Sequence, residues 1–431
     1  MKFITEPLNR FIKLEISGSI VLFAATIAAL VLANSPLSES FLSFWENKIS
    51  IALPGFELSK PVLKWINDGL MAIFFFLIGL EIKREILTGE LSQLKKASLP
   101  IIAAVGGMVV PALFFVTMNS GNSGMEGWGI PMATDIAFSL GILQLLGKRA
   151  PIGLKVFLMA FAIIDDLGAV LVIAFFYSSH LIWINIGVGL LIVGALFILA
   201  ARGYYSKYIF FIAAIVVWVL FLKSGIHATI AGVLLAFTIP MYRKTNTKSF
   251  YAAGIQILDN FRGGSNKTEE TTVLSKKQVE ALDELEEITE HTAPPLQYLE
   301  HRLHGWVAYL IMPLFAFANA GVVFDFSSDI NLNLSANIAT SLVIGKAIGI
   351  FLFSFIAVKT SISILPKNVT YTQLFGISIL GGLGFTMSLF INNLAYTDPS
   401  LINSGKIGII IGSLIAGVAG YLVLSLSTKK T

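Results

Sequence analysis

Cysteine is missing from all 431 positions of the chain, which excludes disulfides, iron–sulfur clusters and thiolate metal sites and carries no information about redox compartment. Charge is scarce as well: Asp, Glu, Lys and Arg make up 13% of the residues, against about 25% in soluble domains. Apolar side chains take their place, at 55% of the sequence. Stretches of roughly 20 apolar residues recur along nearly the whole chain, the length a helix needs to cross about 30 Å of hydrocarbon. Alternating segments of the kind that build a membrane β-barrel are lacking, so the chain reads as a bundle of membrane helices. No G-x-x-x-x-G-K-[ST] occurs; "VIGKAIG" and "NSGKIG" lack both the first glycine and the closing Ser or Thr, and nothing points to work driven by ATP. The net charge of +4 comes from Lys and Arg in loops between spans, a topology signal and not a nucleic-acid surface.

About twelve spans are centred near residues 24, 75, 107, 135, 165, 190, 213, 232, 312, 347, 383 and 415. The opening "MKFITEPLNRFIKLE" is too long for a signal-peptide n-region, so the apolar stretch from Ile16 to Ala33 is expected to be an uncleaved first span. With the N-terminus in the cytoplasm, Lys83, Arg84, Lys95, Lys96, Lys148, Arg149, Lys155, Arg202, Lys207, Arg243, Lys244, Lys359, Lys367, Lys429 and Lys430 all fall on that side. The opposite loops hold few cations, such as Lys48, Lys60, Lys223 and Lys406. The positive-inside rule then predicts cytoplasmic termini. One membrane domain, residues 1–431, is expected to carry two excursions. The first is an extracytoplasmic hairpin at 47–60, where strand-like residues flank Pro54-Gly55, with an irregular loop as the competing reading. The second is a polar cytoplasmic loop at 242–295, in which Ser275 and Gln278 have capping-box spacing at the start of a short surface helix.

Polar residues inside the spans are few, and they carry the chemistry. Span 4 has Thr134 and Asp135, span 5 has the adjacent Asp165 and Asp166, and span 10 has Lys346. A carboxylate at the bilayer centre costs several kcal/mol, about 2.5 to 3.5 on insertion scales. Neighbours on a helix point about 100° apart, so Asp165 and Asp166 face different partners and are expected to differ in role. Three acids against one lysine leave an excess of carboxylate, which suits a site for a proton or a hard cation such as Na⁺ or Li⁺. The low-dielectric interior penalises the charged forms of acids and bases, so protons and metal cations compete for the same oxygens. The competing reading is an interhelical ionic network without a transport role, for which buried ion pairs give only weak stabilisation. Pro131 in span 4 and Gly381, Gly382 and Gly384 in span 11 mark places where a helix can break and expose end charges. There Asp135 can compensate an N-terminus and Lys346 a C-terminus; close packing of small residues is the alternative for the glycines. Spans 3 to 5 and 10 to 12 match in spacing, which hints at an inverted repeat.

Together "MATDIAFSLG", "FAIIDDLGAV", "SGIHATIAGV", "LEHRLHGWVAYLIMPLFAFANAG" and "GLGFTMS" resemble the NhaA-type sodium/proton antiporters over nearly the whole chain. The resemblance implies an all-α polytopic membrane protein with inverted-topology repeats and two discontinuous helices, spans 4 and 11. It implies exchange of cytoplasmic Na⁺ or Li⁺ for external H⁺, electrogenic and regulated by pH, with no cofactor and no catalysis. Asp166 would be the main cation and proton carrier and Asp165 the acid that pairs with Lys346, these two acids being the Na⁺ ligands. Thr134 and Asp135 would sit beside the crossing of the broken helices. A cytoplasmic pH-responsive cluster maps onto Glu81, Arg84, Glu85, Glu300, His301 and His304, and His227 matches a family histidine near the outer side. The family often reads His-Pro-Trp where this chain has "HGW" around Gly305. The expected partners are the ions, membrane lipid and a second copy of the chain, with no nucleic acid, in a bacterial inner membrane. Two rival classes lack their marks. An intramembrane aspartyl protease needs G-x-G-D where this chain has "GLGF", and a symporter of an organic anion needs anchors beyond Lys346.

Overall fold

In hydrocarbon every backbone N–H and C=O must find a partner within the protein, which restricts a long apolar chain to helices. The computed structural model describes residues 2–54, 56–178, 181–242, 247–263, 273–292, 294–323 and 330–428. Gly55, Arg243, Lys244, Lys429 and Lys430 lie outside the described residues. The chain runs through α1 (Lys2–Ala33), α2 (Ser38–Glu46), the strands β1 (Lys48–Leu53) and β2 (Phe56–Pro61), α3 (Val62–Trp65), α4 (Met71–Thr88) and α5 (Leu94–Met118). It continues through α6 (Ile136–Leu145), α7 (Ile152–Phe176), α8 (Trp183–Ala201), α9 (Lys207–Leu222), α10 (Thr229–Thr238), α11 (Thr247–Gly263) and α12 (Lys276–Thr292). The last part holds α13 (Pro295–Trp306), α14 (Met312–Asn319), α15 (Leu332–Thr340), α16 (Lys346–Lys359), α17 (Tyr371–Leu380), α18 (Phe385–Ala395) and α19 (Pro399–Ser427).

The protein is an all-α, multi-pass membrane protein. Among the described residues, five helices are long and apolar enough to cross a bilayer: 95–118 within α5, α7, α8, the run Leu332–Lys359 and α19. Two bent pairs raise that number to seven: 17–33 with α2, folded back by 113°, and α17 with α18, bent by 44°. Elsewhere the apolar helices are shorter, as in α6, α9 and α10, or are interrupted by π turns at Ile66–Leu70, Val307–Ile311 and Ser341–Gly345. π turns of this kind recur at functional sites because they re-aim side chains within a helix.

Small residues set the tightest packing. On α5 and α16, Gly106 and Gly349 meet so closely that a Cβ on Gly349 would stand 2.1 Å from the Gly106 carbonyl oxygen, the backbone approach that small residues permit between membrane helices. Phe75, Phe315 and Phe390 anchor one apolar core, Leu154, Phe161, Ile350 and Leu380 anchor a second, and two smaller clusters form around Phe221 and around Leu80. β1 and β2 pair antiparallel from Lys48↔Pro61 to Leu53↔Phe56. In the polar loop the capping box is formed as the spacing predicts: Ser275 N donates to Gln278 Oε1 at 2.9 Å and Gln278 N to Ser275 Oγ at 3.3 Å. A second loop helix, α11, packs against α12 and was not anticipated. Lys406 belongs to α19 and not to a loop, because Asp398 caps that helix and starts it two turns earlier.

Candidate functional site

The chain stops being helical at two places that touch. Before α6, a 3₁₀ helix (Met125–Met132) gives way to extended backbone at Ala133, Thr134 and Asp135. Between α17 and α18, residues 381–384 leave the helix. Pro131 sits inside the 3₁₀ helix, so the chain opens just after the proline, not at it.

Each broken end finds its partners in the other segment. Carbonyls at the end of α17 and just beyond it accept from the first: Leu383 O from Asp135 N at 2.6 Å, Gly381 O from Thr134 Oγ1 at 2.9 Å and Leu380 O from Ser139 Oγ at 3.1 Å. In return Ser388 Oγ donates to Ile130 O at 2.7 Å. Asp135 caps two helices at once. Its Oδ1 accepts from Phe138 N at 3.1 Å, at the start of α6. Its Oδ2 accepts from Thr386 N at 3.1 Å and from the Thr386 hydroxyl, at the start of α18. One carboxylate thus answers two positive helix ends, where anionic caps are favourable.

Lys346 does the converse. Its ammonium donates to Met132 O, the last carbonyl of the 3₁₀ helix, and to Asp165 Oδ2 at 2.9 Å. Lys346 and Asp165 are fully buried, so neither charge has water to answer it. Asp166, on the same helix α7, is 1% exposed and points elsewhere. Its Oδ1 is buried with no hydrogen-bond partner, and the charges within its reach are Asp165, Asp135, Glu81 and Lys346. A buried polar atom without a partner is rare enough to need an explanation.

Asp166 lines a cavity of about 80 Å³ that also touches Thr134, Asp135 and Thr386, and that extends to Glu81 and His304. A single water needs roughly 10 to 15 Å³ on the same measure, so hydrated ions can be held here. At the Glu81 end, α4 packs against α13. Arg84 Nε lies 3.0 Å from both oxygens of Glu300, its guanidinium also meets Glu85 at 2.7 Å, and His304 Nδ1 stands 4.0 Å from Glu81. His301 is exposed on the rim. α13 passes through Gly305 without a break, so the "HGW" variation leaves His304 on a continuous helix. His227 lies apart from all of these, with Nε2 2.7 Å from Tyr177 O. The glycines Gly381, Gly382 and Gly384 sit at the crossing itself, and a Cβ on Gly382 would stand 2.4 Å from Leu342 O.

Sequence reasoning missed the hydroxyls that complete the crossing: Thr386, Ser139, Ser388, and Ser413, whose Oγ accepts from Phe385 N at 3.1 Å. Ser and Thr are common in membrane helices, so only a position within about a turn of Asp135 or of the 381–384 glycines could have singled out Thr386, Ser139 and Ser388, and Ser413, on α19, carries no such signal.

A family model described as Na+/H+ antiporter 1 matches residues 9–424. The chain is 46% identical over 421 residues to a Na(+)/H(+) antiporter NhaA of Oleidesulfovibrio alaskensis, covering 97% of this chain and 93% of that one. It is 43% identical over 431 residues to one of Bacteroides fragilis, covering 98% of both. A third relative of that description, from Bacteroides thetaiotaomicron, is 43% identical over 430 residues.

Proposed function

Because the chain belongs to the Na+/H+ antiporter 1 family, we propose that it exports Na⁺ or Li⁺ in exchange for external H⁺ through the acid site at the helix crossing. The observation that carries this reading is the buried Asp166 oxygen without a donor, lining a cavity at membrane depth. A protonated Asp166 is neutral and tolerated there. A Na⁺ entering past Glu81 and His304 finds a hard oxygen ligand on Asp166 and expels that proton. Its charge also competes with Lys346 for Asp165. Released from its acid in a dry environment, the lysine gives up a proton in turn. Two protons then leave for each cation that binds. Each turnover moves one net positive charge inward, worth about 2.3 kcal/mol per 100 mV.

In this reading the bundle has twelve spans, with the 3₁₀ helix plus α6 and α17 plus α18 as two broken spans of an inverted repeat. Asp135 and Lys346 neutralise the broken ends, so the halves can shift without baring charge. The Arg84–Glu300–Glu85 network and the Glu81–His304 pair sit at the cytoplasmic mouth, where ionisation can gate entry. The 242–295 loop is a cytoplasmic excursion, the hairpin of β1 and β2 an extracytoplasmic one, and the protein a homodimer of the bacterial inner membrane with cytoplasmic termini. The test is Na⁺-induced dissipation of a pH gradient in proteoliposomes across a range of pH. Wild type should respond and Asp166→Asn should not; a wild-type response from the mutant removes Asp166 as carrier.

A further inference from the structure

At the end of the molecule opposite Glu81 and His304, three asparagine side chains close on one another. Asn67 Nδ2 donates to Asn319 Oδ1 at 3.2 Å and Asn319 Nδ2 returns a bond to Asn67 Oδ1 at 2.9 Å. Asn393 Nδ2 donates to the same Asn319 oxygen at 2.7 Å. Asn319 and Asn67 are buried. The three come from separate elements: the π turn Ile66–Leu70, the last residue of α14, and α18.

Between this cluster and the acids lies an aromatic layer. Phe390 has its ring centroid 5.6 Å from that of Phe75 and 6.1 Å from that of Phe315. α18 carries Thr386, Phe390 and Asn393 at i, i+4 and i+7, a single helix face. That face touches Asp135 at one end, the aromatic layer in the middle and the amide cluster at the other end. α4 spans the same distance in the opposite chain direction, with Asn67 just before it, Phe75 in its first turns and Glu81 at the cavity. A permanent seal needs only the aromatics. Carboxamides add a closure that can open into water, because water replaces each amide bond when it breaks, and each bond shifts the equilibrium by about fivefold.

We propose that Asn67, Asn319 and Asn393 form the latch that keeps Asp166 closed to this side, and that exposing the site there requires α18 to carry Asn393 away from the other two. The inference rests on the antiport reading above, in which this side is extracytoplasmic. The absence of cysteine makes a thiol test clean. Ile78→Cys places a reporter in the cavity wall, one turn from Phe75 toward Glu81. In right-side-out vesicles holding the full chain, labelling of the reporter by a membrane-impermeant methanethiosulfonate applied outside should be slow. Adding Asn393→Leu should speed it about fivefold, the worth of its one bond to Asn319, and Asn67→Leu about 25-fold, since it removes two. Separately, joining Asn319→Cys to Asn393→Cys with a short bifunctional thiol reagent should stop Na⁺-dependent proton flux, and reduction should restore it. Unchanged labelling with both leucine variants overturns the latch, as does normal flux after complete cross-linking. The labelling arm needs no exchange activity, so wild-type protein without Na⁺-dependent proton flux removes the antiport reading alone.

Discussion

Asp135 and Asp166 line the same cavity and are equally buried, yet the fold treats the two acids in opposite ways. Asp135 receives Phe138 N, Thr386 N and the Thr386 hydroxyl. Asp166 keeps an oxygen to which nothing donates. The first has its hydrogen-bonding capacity used by helix ends and holds the crossing together. The second is left with capacity for something the protein does not itself supply. The Lys346–Asp165 pair stands between these cases: its charges are matched by each other and by one backbone carbonyl, with Thr134 beside Asp165, while Asp165 Oδ1, like that of Asp166, has no hydrogen-bond partner.

That contrast ranks the effects of substitution on stability. The largest loss belongs to Lys346→Met, which leaves Asp165 as an uncompensated buried charge, about 3 to 5 kcal/mol by the usual cost of breaking such a pair. Adding Asp165→Asn should recover most of it, since removing both charges is nearly neutral. Thermal unfolding in detergent reads both. If the double variant is no more stable than the single, the pair is not what the lysine answers. Asp135→Ala comes next. Two helix caps at about 1 kcal/mol each put the loss near 2 kcal/mol, and Thr386→Val should lose about half as much while keeping Asp135 at the start of α6.

Asp166→Asn should change stability by less than about 1 kcal/mol, because no protein donor is lost, although under the proposed function it should eliminate flux. A marked destabilisation would mean that Asp166 is a structural acid like Asp135, and the comparison would collapse. The smallest effect is expected from deleting residues 265–290, which follow α11, take in most of α12 and contain none of the groups at the crossing. Exchange at high pH should persist in that variant, with at most a displaced pH profile; complete loss of transport from an inserted protein would give the loop an essential role.

The acids, the lysine and the glycine break were legible because each is costly in a membrane: a charge or a helix break there needs a reason that sequence alone can pose. The dual capping by Asp135 was half legible, since a carboxylate before an apolar run predicts one cap, but the second depends on Thr386, 251 residues away. Ser139, Ser388 and Ser413 carry no comparable cost, so nothing distinguishes them until the two broken segments are laid across each other. The asparagine cluster was invisible for the same reason, with Asn67 and Asn319 separated by 252 positions. α2 was missed because its 113° turn back from α1 is set by packing, with Phe41 and Trp45 against Phe317, and not by a periodic signal of its own.

The central claim is that two centres, Asp166 and the Lys346–Asp165 pair, each release a proton to one cation. It is tested most directly by a K⁺ diffusion potential, negative inside, imposed on wild-type proteoliposomes with Na⁺ and H⁺ equal on both sides and pH clamped. Two protons entering for each Na⁺ leaving carry one net charge inward, so the potential should drive Na⁺ out against no initial gradient. At 100 mV the energy of about 2.3 kcal/mol supports a Na⁺ ratio of roughly 50-fold at equilibrium. No movement of Na⁺ under the potential would mean a single proton per cation, and would reduce Lys346 to a structural partner of Asp165.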